Sequence, residues 1–139
     1  MVNPDDIYSG FAASDTAESV TTVNGQLTPT LVMRPGELQR WRFVHAGIAD
    51  SIDLSLPGLK LYEIAVDGLA TGRMTEVDHI ELQPGYRSDV LIKAPTPAPN
   101  ADARARTFIM KTEVRDVRRS LRKRIVAPRA VIKLVVADA

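Results

Sequence analysis

Two histidines, His45 and His79, and three internal methionines, Met33, Met74 and Met110, are the side chains here suited to a soft metal. The histidines stand 34 positions apart and form no His-x-His pair. Two imidazoles without further ligands do not close a metal site. Methionine more often fills gaps in a core, and that is the role expected of these three. His45 follows the run RWRFV and is expected at a strand end, with one ring nitrogen bonded to backbone. His79 is expected on a strand face. Neither is a strong general base. The chain has no cysteine, which removes disulfides, thiol nucleophiles and thiolate metal sites together. It says nothing about redox compartment. Ser51, Ser55 and Ser88 lack a Gly-x-Ser-x-Gly elbow. There is no phosphate loop or dinucleotide fingerprint. Carboxylate pairs such as Glu76 and Asp78 read as solvated surface groups.

The elements that position these residues are short and extended. Apolar runs between Thr22 and Lys93 are punctuated by Asn24-Gly25, Pro35-Gly36, Pro57-Gly58, Asp67-Gly68 and Pro84-Gly85. Strands of five to eight residues with turn dipeptides about every 10 residues predict a sandwich or barrel. Ser19 to Val23 is a β-prone run, and Leu31 to Met33 is a second extended piece. Glu37 to His45 alternates, placing Trp41 and Phe43 inward and Arg40 and Arg42 outward. Ile52 to Leu56 alternates, and Leu61 to Val66 is mostly apolar. Val77 to Leu82 reads as one alternating strand. Tyr86 to Ile92 sets Val90 and Ile92 against Asp89 and Leu91. Ala94 to Arg106 carries Pro95, Pro97 and Pro99 and reads as a surface loop. Thr107 to Met110 is a strand, and the β-branched run Val131 to Val136 is a central closing strand. Between them, EVRDVRRSLRKR fits a short amphipathic helix or a long hairpin loop.

In all, 139 residues are one domain of ordinary size, with 45% hydrophobic and 25% charged residues, a globular composition. Residues 1–19 are polar and are expected to be an N-terminal arm or interdomain linker, with 20–139 as the single domain. Tyr8 and Phe11 are the arm's candidate anchors. A net charge of +1 gives no overall pull toward nucleic acid, and no nucleic-acid partner is expected. No apolar run approaches the ~18 residues of a membrane span, and the N-terminus is too polar for a signal peptide. The charge is nevertheless uneven. Ten of the 18 Lys and Arg lie between Arg104 and Arg129. Arg115, Arg118, Arg119, Arg122, Lys123 and Arg124 form a candidate surface for an anionic partner, but no aromatic is interleaved for base stacking.

Several pieces occur together in one order: Asn24-Gly25, Pro29, Arg34-Pro35-Gly36-Glu37, Arg40-Trp41-Arg42, Asp67-Gly68 and Pro84-Gly85-Tyr86-Arg87-Ser88-Asp89-Val90. In this order and spacing they resemble the second cupredoxin-like domain of multicopper oxidases of the laccase and bilirubin-oxidase type. The resemblance covers about Val20 to Ala94, with the last two strands matching by pattern only. It implies an all-β, cupredoxin-like Greek-key sandwich of about eight strands, with room for one short helix before the last strand. It also implies a place between two copper-carrying domains of a secreted or periplasmic oxidase, with those flanking domains as partners. In that family pattern Glu37, Asp67 and Asp89 are the nearest acids to Arg40, Arg42 and Arg87, whose guanidiniums can grip a carboxylate or turn carbonyls. These motif residues are expected to serve the fold rather than catalysis.

A blue-copper site takes two His, a Cys and usually a weak Met. Cupredoxins that resemble this chain carry the Cys at the end of the penultimate strand, and the second His and the Met just after it. Here those positions read Thr107-Phe108-Ile109-Met110-Lys111-Thr112 and then an arginine-rich run, without Cys or His. The expectation is therefore no copper in this chain, copper in flanking domains of the parent, and no oxidase activity from the domain by itself. A stand-alone binding module that uses Arg115 to Arg129 is the alternative.

Overall fold

The computed structural model describes residues 20–47, 51–113 and 128–138. Among these described residues nine strands fall into two sheets. They are β1 (Thr30–Met33), β2 (Leu38–Val44), β3 (Ile52–Ser55), β4 (Leu61–Val66), β5 (Leu69–Val77), β6 (His79–Leu82), β7 (Arg87–Lys93), β8 (Thr107–Thr112) and β9 (Ala130–Val136). One sheet runs β1-β9-β8-β3-β6 and the other β2-β7-β4-β5. Neighbours in space are mostly not neighbours in sequence, and the connections cross between the sheets as in a Greek-key sandwich. Most pairings are antiparallel, but β1 lies parallel to β9, with Thr30 opposite Lys133 and Met33 opposite Val136.

The core sits between the sheets. Met33, Leu61, Val90, Ile92, Met110, Leu134 and Val136 are fully buried in it. The period-2 pattern supplies these positions: Val90 and Ile92 point inward from β7, and Leu134 and Val136 from β9. The run 131–136 is central, since β9 has partners on both flanks. Trp41 is buried and Phe43 half-buried, their rings tilted at 6.2 Å, while Arg40 and Arg42 face out.

The five turn dipeptides all close turns. Hydrogen bonds run from the Glu37 N–H to the Arg34 carbonyl (3.0 Å), from Leu59 to Leu56 (3.2 Å) and from Tyr86 to Gln83 (2.9 Å). At Asp67-Gly68 both residues have positive φ, 49° and 82°, between the paired residues Val66 and Leu69. That is the two-residue hairpin geometry that matches strand twist, and it favours glycine at the second place.

Three expectations change. The stretch Ser19 to Val23 is no strand where it is described; Val23 only bridges Gln26 across Asn24-Gly25. The run Val77 to Leu82 is not one strand. It breaks at Asp78, so that Val77 ends β5 in one sheet and His79 begins β6 in the other. Leu69 to Val77, not anticipated as a strand, is the longest among the described residues, and almost every residue of it is exposed. A 3₁₀ turn, Ala103–Arg106, also closes the proline-rich loop, capped by the Asp102 side chain on the Arg104 N–H. The helix or loop expected over 114–127 and the arm over 1–19 lie outside the described residues.

Candidate functional site

β2 and β7 pair over their whole length, with Arg42 opposite Asp89 and Arg40 opposite Leu91. Residues two apart on one strand share a face, so Arg40 and Arg42 both reach the Asp89 carboxylate from across the pair. Arg40 donates to Asp89 Oδ2 through Nε (3.0 Å) and through Nη2, and Arg42 donates to the same oxygen through Nε (3.1 Å). Asp89 is buried, while the arginine side chains remain 48% and 71% exposed. Burial pushes the Asp89 carboxyl up, but the hydrogen bonds and charges of Arg40 and Arg42 outweigh it and hold it below its ordinary value.

The inward side of β2 carries a different chain of contacts. The Trp41 indole N–H donates to Gln39 Oε1 (2.9 Å), Gln39 Nε2 donates to Glu37 Oε1 (2.9 Å), and Glu37 Oε2 accepts the Arg34 N–H (2.6 Å). The Gln39 hydrogen bond, then that from Arg34, holds the Glu37 carboxyl below its usual range. Glu37 thus anchors the Pro35-Gly36 turn and makes no ion pair with Arg40, Arg42 or Arg87 among the described residues. Arg87 turns to the hairpin tip instead. Its Nη2 donates to the Asp67 carbonyl (2.7 Å), its N–H to Asp67 Oδ1 (3.0 Å), and the Asp67 N–H returns to the Arg87 carbonyl (2.9 Å). Pro84-Gly85 sits beside His45, whose carbonyl accepts the Gly85 N–H (2.9 Å). Asn24-Gly25 lies apart from these groups, on the exposed turn before β1.

The histidines do not meet. His45 is buried just after β2, and its Nδ1 accepts the Gly47 N–H at 3.0 Å. A Cβ at position 47 would lie 2.6 Å from the His45 ring, so glycine there allows the close approach. His79 is exposed at the start of β6, in the other sheet. Met33 and Met110 fill the core, and Met74 is exposed on β5. Among the described residues no three His, Cys, Asp or Glu come together to hold a metal. No helix of the described residues is long and apolar enough to cross a membrane.

One cluster was not anticipated. Ser55 on β3 donates its hydroxyl to Glu113 Oε1, and Lys111 Nζ lies 3.5 Å from the same carboxylate. His79 stands opposite Ser55 on the next strand. The Ser55 hydrogen bond is the main cause that holds the Glu113 carboxyl below its usual range. Held below its usual range, Glu113 is a weak base and a poor activator of the Ser55 hydroxyl as a nucleophile. The strand pairing that creates this cluster joins residues 55, 79 and 113, which no sequence spacing connects. Arg115, Arg118, Arg119, Arg122, Lys123 and Arg124 lie outside the described residues.

A multicopper oxidase family model matches residues 3–121. This chain belongs to the multicopper oxidase family. No curated protein matches it. Among solved structures it is similar to Fet3p, described as a multicopper oxidase that functions in iron import, at 15% identity and a TM-score of 0.68, over 96% of this chain and 25% of that one. It is similar to a metallo-oxidase from Campylobacter jejuni at 21% identity and a TM-score of 0.66, over 84% of this chain and 23% of that one. A laccase-like CueO from Ochrobactrum sp. matches at 19% identity and a TM-score of 0.59, over 79% of this chain and 21% of that one. These likenesses show a shared fold. The chain spans about a quarter or less of the length of these multicopper oxidases. The family's metal is copper, and the donors here do not fit the thiolate site of a cupredoxin: the chain has no Cys, and its two His lie in separate places.

Proposed function

We propose that this chain is a copper-free, cupredoxin-like domain of a multicopper oxidase, whose work is to hold neighbouring copper-binding domains in position. The observation that carries this is the donor set on this fold. A two-sheet sandwich of the oxidase type has its two imidazoles on different elements, one locked to backbone and one at the surface, and has no thiolate. The charged motif residues support the same reading. Arg40, Arg42 and Asp89, Arg87 and Asp67, and Glu37 with Gln39 spend their hydrogen bonds on strands and turns. Groups so engaged stiffen a scaffold. The parent is then an exported oxidase, periplasmic or secreted, and its flanking cupredoxin domains are this domain's partners. The isolated domain oxidises nothing.

The deciding experiment is the DNA sequence on both sides of this reading frame. The expected result is an open frame that continues into segments with His-x-His pairs and a His-Cys-His run. Stop codons that bracket Met1 and Ala139 would overturn the assignment. Metal analysis of the purified chain after exposure to Cu(I) and Cu(II) provides a second check, with no stoichiometric copper expected.

A further inference from the structure

The outward side of β2 reads Leu38, Arg40, Arg42, Val44. Leu38 is 59% exposed and Val44 65%, so the two cations are bracketed by two uncovered apolar side chains on one edge strand. Lys93 stands opposite Leu38 on β7. Among the described residues the carboxylate paired with this stripe is Asp89, already buried beneath both guanidiniums. Among the described residues Arg42 donates only through Nε, which leaves both Nη groups for a second acceptor. Arg40 likewise keeps Nη1. Asp89 pins both arginines at their inner ends, so part of the side-chain entropy that a docking arginine would lose is already spent in the fold. Arginine pinned in this way, beside exposed aliphatic side chains, is the composition of an interface centre rather than of a solvated rim.

We propose that this stripe is a docking surface for an adjoining domain of the same parent chain, one that presents carboxylates flanked by apolar side chains. The charge surplus of the stripe selects an acidic partner, and its apolar ends select one with aliphatic or aromatic flanks. An adjoining domain is the occupant because the similar oxidases carry three-quarters or more of their length outside the matched part. The proposal rests on the chain being a positioning domain. The flanking DNA tests that reading, while the experiment below tests the stripe, so failure of one is distinct from failure of the other.

The test is an amide NMR titration of the 139-residue chain, at low salt, with an eight-residue peptide that alternates leucine and glutamate. Saturable shifts confined to β2 and β7 are expected. Arg42→Gln, which leaves Arg40 on Asp89, is expected to weaken binding roughly three- to fivefold, the size of one solvent-screened ion pair. Leu38→Glu, at an exposed position, is expected to weaken it at least as much. The double variant Arg118→Gln, Arg119→Gln is expected to bind as the parent chain does. Absence of saturable shifts, or binding lost in the double variant and retained in Arg42→Gln, overturns the stripe. Sedimentation that shows a dimer, dissociated by both the peptide and Arg42→Gln, overturns the occupant by assigning the stripe to a second copy.

Discussion

β7 and β5 belong to the same four-stranded sheet and differ in almost every other respect. β7 pairs along both flanks, with β2 and β4, and buries Ser88, Asp89, Val90 and Ile92. β5 pairs with β4 alone, sits at the edge, and leaves Leu69 and Met74 exposed. Its register slips: Ala70 pairs with Ala65 but Thr75 with Glu63, so Thr71 to Met74 bulge outward. Gly72 has φ of 73° inside that bulge, and the Thr71 hydroxyl lies within 3.0 Å of the Ile64 carbonyl and 2.9 Å of the Arg73 carbonyl. A bulge of this kind spoils a flat edge as a template for another strand. Length alone is therefore a poor guide to a strand's weight in the fold. The longest strand is the one the core uses least.

Substitutions should separate the two strands, beginning with the core. Ile92→Ala on β7 removes a fully buried side chain and should cost about 2–5 kcal/mol in a urea unfolding curve. Asp89→Ala on the outer face of β7 should cost about 2 kcal/mol at neutral pH, because two guanidiniums lose their acceptor. That loss should depend on pH with a definite sign. Asp89 titrates lower in the fold than its ordinary 3.8, so its contribution is present above that value and fades as pH falls through the folded pKa. The gap between the parent and Asp89→Ala should thus be widest near neutrality and close in strong acid. Gly68→Ala, at the tip that opens β5, should cost about 1 kcal/mol through its positive φ alone, since no atom lies closer than 3.7 Å to the added Cβ. Met74→Ala, in the bulge, should move the midpoint by less than about 0.5 kcal/mol. A loss at Met74 comparable to that at Ile92 would erase the contrast between the strands.

The same contrast explains what the sequence could reveal. β7 was legible because strand period and burial agree in it: Val90 and Ile92 alternate with Asp89 and Leu91, between a Pro-Gly turn and a proline-rich loop. β2 was legible for the same reason, including the outward arginines. β5 was hidden because LATGRMTEV carries no apolar alternation. An edge strand with little to bury leaves no hydrophobic record, and its internal glycine reads as a break. The division at Asp78 was hidden because Val77, His79 and Glu81 keep step across it. Only the change of sheet shows the corner. The arginine and acid groups could be listed from the sequence, but their pairing needed the fold. Glu37 serves its own turn, and one carboxylate, Asp89, holds two arginines. The Ser55–Glu113 contact was out of reach altogether, since it joins residues 58 positions apart through strand register.

The parallel pairing of β1 with β9 has a mechanical side. Thr30 begins one strand and Val136 ends the other, three register steps apart along a common direction. Tension applied at those two points pulls the strands past each other lengthwise, and the ladder bonds between them must yield together rather than one by one. Single-molecule pulling from residues 30 and 136 should therefore meet a higher rupture force than pulling across the β4–β5 hairpin, which opens from its free end. A strand pair built this way passes strain along its length instead of absorbing it.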